Sequence, residues 1–194
     1  MTRTKLTAAL AFATLVATPV AANSLREKAK PAVVAKLITV TPPRDWNKLT
    51  FTPGKHTETW TLDGDQLNDV TFYAGIAPGE PLVREVSKKR KPLPKLTAAT
   101  LLVEVPELLE GTYRSAKEIG SFTVTGSAAD RFLGQNGIRF AYEFVDDDNL
   151  PRKGEARAAL VGGKLYMATF DAPRLNFFDR GLADFRALTD TAKL

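Results

Sequence analysis

The chain has no cysteine and one histidine, His56, among 194 residues. Without a thiol there is no disulfide, no thiol nucleophile and no lipid-modified cysteine. A single histidine cannot supply the usual histidine-rich zinc set, and nothing places a serine nucleophile beside it. His56 reads as a surface or strand-start residue. No glycine-rich phosphate loop, HExxH or GxSxG occurs. An internal repeat and a low-complexity tract are absent too. No cofactor and no metal are expected. A chain without cross-links must draw its stability from a buried core, for which about 170 residues suffice.

Apolar runs long enough to span a bilayer are also missing. Residues 6–16 are apolar but too short for about 30 Å of hydrocarbon. They follow Arg3 and Lys5 and precede Pro19 and Val20-Ala21-Ala22. A positive start, a short apolar centre and a small-residue site form a secretory signal peptide over residues 1–22, cleaved after Ala22. Retention as an N-terminal anchor is the rival reading. The mature chain is expected in the periplasm or outside the cell, without a transmembrane segment. Residues 23–35 are polar and read as a flexible leader, followed by a single domain over 36–194.

Charge of one sign is scarce outside one segment. The whole chain carries +5, and removal of Arg3 and Lys5 with the signal leaves +3. Residues 84–95 hold Arg84, Lys88, Lys89, Arg90, Lys91 and Lys95 against Glu85, so the remainder of the mature chain is slightly acidic. That is a local patch and not a coat for nucleic acid. Pro92 and Pro94 cannot donate ladder bonds, which argues for an exposed loop or edge. Lys88, Lys89, Arg90 and Lys91 are therefore candidate contacts for anionic lipid, polysaccharide or an acidic envelope protein. A merely solvated loop is the plainer alternative.

What is plentiful is alternation. Ile138, Phe140, Tyr142 and Phe144 recur at period two, as a strand requires. Gly162-Gly163 divides two further runs and suits a two-residue hairpin with positive φ. That turn sets Val161 opposite Lys164, Leu160 opposite Leu165, Ala158 opposite Met167 and Ala156 opposite Thr169. Both faces of this hairpin are largely apolar, so cover is expected on both sides. At the end of the chain Phe178, Leu182, Phe185, Leu188 and Ala192 form one helical stripe, with Asn176 as a candidate cap and Gly181 allowing close approach to the sheet. Thr97 can cap a middle helix reaching about Ser115, kinked or broken at Pro106. Strands are expected over 36–40, 57–62, 70–76, 121–125 and 128–133, with a turn over 134–137.

Two further groups could carry chemistry. Asp146-Asp147-Asp148-Asn149 offers hard oxygen ligands but lacks the glycine at position six and the glutamate at position twelve of a calcium loop, so a solvated hairpin loop is expected. Arg139, Glu143, Glu155 and Arg157 lie on strands joined by that loop. They can form cross-strand ion pairs, or Arg139 and Arg157 can line a ligand pocket. Glycoside hydrolysis by Glu143 and Glu155 is disfavoured, because arginine neighbours depress carboxylate pKa values.

The succession of a strand, Pro42-Pro43-x-x-Trp46, a long middle helix, FLGQNGIRFAYEF, GGKLYMATFDAP and a closing FFDRGLADFRAL helix resembles the PsbP-like superfamily. That group includes DcrB-like bacterial envelope proteins and the photosystem II PsbP fold. The resemblance covers most of residues 37–194. It implies an α+β fold, an antiparallel sheet with helices on both faces. It implies no shared chemistry and carries over no functional residue. The expected role is a non-enzymatic exported envelope protein that binds or scaffolds another macromolecule. The alternative is a small-molecule-binding protein or hydrolase with its site at Arg139 and Glu155.

Overall fold

A computed structural model describes residues 24–194. The expected signal peptide and Asn23 lie outside the described residues. In chain order the elements are β1 (Ser24–Arg26), β2 (Ala32–Val34), β3 (Ile38–Val40), β4 (Trp46–Lys48), β5 (Thr57–Thr61), β6 (Asp69–Ile76), a 3-10 turn (Leu102–Glu104), α1 (Val105–Ala116), β7 (Ser121–Phe132), β8 (Gln135–Val145), β9 (Pro151–Val161), β10 (Lys164–Pro173) and α2 (Phe177–Asp190). Eight strands form one antiparallel sheet in the order β1-β4-β5-β6-β10-β9-β8-β7, and β2 pairs β3 apart from it.

The β9–β10 hairpin turns on Gly162 and Gly163, at φ 58° and 74°, values that cost a residue with a Cβ. The pairing is the expected one, with Val161 opposite Lys164 and Ala156 opposite Thr169. Alternation then sorts side chains to two faces. Tyr166, Ala168 and Phe170 join Trp46, Trp60, Phe72 and the α2 residues Phe178, Phe185 and Leu188 in one core. Leu165 and Met167 join Tyr73, Phe140, Tyr142, Phe144 and the α1 residues Val105, Leu109 and Tyr113 in the other. The fold is α+β, with one helix on each face.

On the α2 side, the rings of Phe178 and Phe185 each stack 5.6 Å from Phe170. A Cβ at Gly181 would lie 2.6 Å from Phe170 Cζ, so glycine is what lets helix and sheet meet. On the α1 side a Cβ at Gly154 would fall 2.2 Å from the Tyr142 ring, which lies over its partner's bare backbone.

Several expectations are corrected. The polar leader contains a strand: β1 pairs β4 at the sheet edge, and β2 follows it. Glu58 explains the capture of this segment. It is buried, accepts the Ala35 N–H at 3.2 Å and the Trp60 indole N–H at 2.8 Å, and pairs with Lys48 and with Arg26 of β1 at 3.0 and 3.4 Å. Burial pushes the Glu58 carboxyl up, and the bonds from Trp60, Lys48 and Ala35 outweigh it and hold it below its ordinary value. The middle helix begins at Val105, with Pro106 in its first turn, where a missing N–H costs nothing. Thr97 instead closes a local turn with Thr100. Residues 121–132 form one strand with a bulge after Val124, and the turn that follows is Leu133-Gly134, at φ 55° and 71°. Asn176 sits at φ 67° and makes no side-chain cap bond.

Candidate functional site

The most concentrated chemistry lies where the α1 side of the sheet reaches the C-terminal end of α1. Asp171 of β10 has only 1% of its side chain exposed. It accepts hydrogen bonds from the hydroxyls of Tyr113 and Tyr142 at 2.6 Å each and from Lys117 Nζ at 2.9 Å. Directly opposite on β6 is a second carboxylate, Asp69, which accepts a bond from Thr71 Oγ1 at 3.2 Å. Lys117 Nζ also stands 4.0 Å from the centre of the Tyr113 ring.

These groups shift one another. Enclosure by protein pushes the Asp69 carboxyl up to about 6; Lys117 pulls against this and Asp171 adds to it. Burial pulls the Lys117 ammonium down, but Asp171 and Asp69 outweigh that and hold it above its ordinary range. Burial and the charge of Asp171 push the hydroxyls of Tyr113 and Tyr142 well up, so both act as hydrogen-bond donors at neutral pH.

Asp69 borders an open cleft of about 620 Å³. Phe51, Ile119 and Phe144 give it an apolar wall, and Lys117, Arg152, Asp65 and Asp147 give it charge. Arg152 is engaged by Gln66 O at 3.0 Å and Asp146 at 3.5 Å. Asp65, Asp69 and Asp147 have no ion-pair partner among the described residues. Asp147 belongs to the expected acidic loop, which is a hairpin loop closed by Leu150 N–H donating to Asp146 Oδ1 at 2.8 Å.

The arginine and glutamate group on β8 and β9 does not assemble as expected. Register sets Arg139 opposite Arg157, Ala141 opposite Glu155 and Glu143 opposite Lys153. Like charges would repel, and Arg157 turns away to the far partners: Asp130 at 2.7 Å, Asp190 at 2.5 Å, Thr189 Oγ1 at 3.0 Å and Arg131 O at 2.9 Å. Glu155 is held by Nε and Nη2 of Arg186, at 2.8 and 2.5 Å. Two separate clips therefore fasten α2 to the sheet in place of the expected four-residue cross-strand network. Arg139 is exposed and has no ion-pair partner among the described residues. Neither Arg139 nor Arg157 lines the cleft beside Asp69.

The basic segment is a loop with a buried stem and an exposed tip. Leu82, Leu93 and Leu96 are buried, and bridges join Pro81 to Lys95 and Ser87 to Lys91. Lys88, Lys89 and Arg90 are exposed without an ion-pair partner among the described residues, while Lys91 pairs with Glu118 just beyond α1. Val86, next to them, is 96% exposed. His56 immediately precedes β5, as expected, with Nε2 3.6 Å from Glu80 Oε1.

Sequence reasoning missed Asp69, Asp171 and Lys117. The signal was phase. Asp171 continues the inward series Leu165, Met167 and Thr169, and Lys117 continues the α1 stripe of Leu109 and Tyr113. A charged residue in an apolar phase marks a buried polar cluster.

An antiparallel sheet covered by one helix on each face is a PsbP-like fold. The solution structure of cyanobacterial PsbP (CyanoP) from Synechocystis matches with a TM-score of 0.54 at 12% identity, over 94% of this chain and 98% of that one. The Ran-binding protein Mog1p of Saccharomyces cerevisiae matches at 0.45 and 9% identity, over 88% and 94%. LpqN of Mycobacterium tuberculosis, described as involved in cell envelope biogenesis, matches at 0.35 and 6%, over 89% and 83%. No family model matches the chain, and no curated protein does. At these identities the likeness concerns the fold alone.

Proposed function

We propose that this chain is an exported, non-enzymatic member of the PsbP-like superfamily, of the DcrB-like envelope type, that works by docking on an anionic surface of the cell envelope. The loop over residues 84–95 is the contact. The observation that carries the reading is Lys88, Lys89 and Arg90 standing exposed and without ion-pair partners among the described residues, beside the bare side chain of Val86. Cations next to an exposed aliphatic group suit a lipid interface. Each lysine or arginine near an anionic surface contributes about 1 kcal/mol, and the apolar group enters the headgroup boundary. Among the envelope partners considered, anionic lipid is therefore preferred to polysaccharide or an acidic protein. No observation favours the alternative of a small-molecule or hydrolytic site at Arg139 and Glu155, since Arg186 occupies the Glu155 carboxylate.

Cosedimentation with anionic and neutral vesicles at about 0.01 and 0.15 M salt, where the screening length falls from about 30 to 8 Å, tests the docking. The protein should bind anionic vesicles at low salt, and replacement of Lys88, Lys89, Arg90 and Lys91 by Gln should abolish the binding. Equal sedimentation of both proteins removes the lipid reading. Export has its own check: N-terminal sequencing from the native host should return Asn23, and Met1 or Thr2 would contradict it.

A further inference from the structure

We propose that Phe51 is a second membrane contact, entering the headgroup region of an anionic phospholipid bilayer beside the basic loop. This rests on the docking reading and extends it from one loop to a two-point face. Phe51 is 75% exposed, whereas every other phenylalanine, tyrosine and tryptophan among the described residues is buried or half-buried. Exposure by itself is ordinary for a single apolar residue. Position sets Phe51 apart.

Both limbs of the basic loop reach the segment that carries it. The outgoing limb is fastened to residues 53–54: Arg84 N–H donates to Pro53 O at 2.8 Å, and a Cβ on Gly54 would lie 3.0 Å from Val83 Cα. The returning limb is held by Glu118, which pairs with Lys91, and Glu118 and Phe51 line the same cleft. A bridge between Ser87 and Lys91 closes the tip. Phe51 therefore stands beside the tip, on the end of the molecule that carries Lys88, Lys89 and Arg90.

The chemistry suits a lipid surface. Exposed cations attract the phosphates, and apolar side chains among them enter the headgroup boundary. Val86 supplies one such side chain from the loop and Phe51 another from the segment after β4. Lys55, itself exposed, adds a cation close to Phe51 in sequence. Asp65 and Asp147, exposed along the same cleft, oppose an anionic surface and limit insertion to the ring at the cleft's rim. Two contacts drawn from separate segments fix the orientation of the body, where one loop alone lets it swing.

Titration with vesicles of phosphatidylglycerol and phosphatidylcholine at about 0.01 M salt tests this. Trp46 and Trp60 are fully buried, so Phe51→Trp places the one exposed indole at the site. Its emission should shift to the blue on binding and be quenched by bromine-labelled acyl chains. Replacing Lys88, Lys89, Arg90 and Lys91 by Gln in that variant should remove both signals. Phe51→Ala should weaken wild-type binding about tenfold, as withdrawal of one aromatic side chain from the headgroup region predicts. Leu175→Ala, equally exposed but at the entry to α2 on the other side of the sheet, should leave binding unchanged. Neither Phe51 substitution should move the melting temperature, since the side chain is exposed. Equal affinities of wild type and Phe51→Ala, or an emission unmoved by vesicles that do bind the protein, overturn this inference and leave the docking loop standing. Failure of wild type to bind overturns both.

Discussion

The two faces of the sheet treat buried charge differently. Under α2, each buried charge meets its opposite: Arg157 has Asp130 and Asp190, and Glu155 has Nε and Nη2 of Arg186. Under the end of α1, Asp69 and Asp171 lie side by side, and among the described residues Lys117 is the one cation hydrogen-bonded to either. The first arrangement is closed and holds a helix down. The second is left unbalanced beside an open cleft. Desolvated charge is costly unless matched, so a mismatch retained at a cleft points to a task other than stability.

The largest effect should come from packing on the balanced face. Phe185→Ala should cost about 3–5 kcal/mol, since the side chain is fully buried against Phe170. Asp184→Ala, one residue away, gives up only a solvent-accessible ion pair with Arg44 and should cost under about 1 kcal/mol. Chemical denaturation compares the two, and equal midpoints would mean that α2 does not use this face.

Lys117→Met comes next. It leaves two carboxylates without their lysine and should cost about 2 kcal/mol at pH 7.5, a figure reduced because the lysine stem is part-exposed. The loss should shrink at pH 5. A loss independent of pH would mean that Lys117 contributes packing alone.

The pH profile sharpens the contrast further. The Asp69 carboxyl rises from an ordinary 3.8 to about 6, so the folded state holds this proton more tightly than the unfolded chain. The resulting stability is fully present below about 3.8 and is lost as pH rises through 6, on the order of 2 kcal/mol in all. Glu58 has the opposite sign: its lowered carboxyl favours the fold above an ordinary 4.5, and that advantage disappears in acid. Stability should therefore peak near pH 5, and Asp69→Asn should flatten the decline toward pH 7. Denaturation midpoints across pH 4–8 read this directly; an unchanged slope in the variant would exclude Asp69 as its source.

The smallest effect is expected at the loop tip. Replacing Lys88, Lys89, Arg90 and Lys91 by Gln should shift the melting temperature by no more than about 2 °C, since only Lys91 has an ion-pair partner among the described residues and that pair is exposed. A larger fall would mean that the segment supports the fold.

Legibility followed the range of the interaction. Gly162-Gly163 and the stripe of Phe178, Phe185 and Leu188 were readable because turn chemistry and helical period act over a few residues. β1 was not, because three residues show no period and Glu58 captures Arg26 from 32 positions away. Arg157 was legible as a charged strand residue, but its partners on β7 and α2 were not. Asp69 and Asp171 meet only through the β6–β10 pairing, which joins strands about a hundred residues apart. Nothing local in either strand announces the other, although each carries an acid in an inward phase.

That same pairing sets an order of events during synthesis. β10 lies at the centre of the sheet, between β6 and β9, yet it is the last strand of the described chain. Before residues 164–173 leave the ribosome, β1, β4, β5 and β6 can pair as one half and β7, β8 and β9 as another, and no strand pairing among the described residues joins the two. Closure must await the synthesis of β10 and then bring distant segments together, a topology that folds in milliseconds to seconds and not microseconds. A nascent chain stopped before Lys164 should therefore be protease-sensitive throughout, with resistance appearing abruptly once β10 is available.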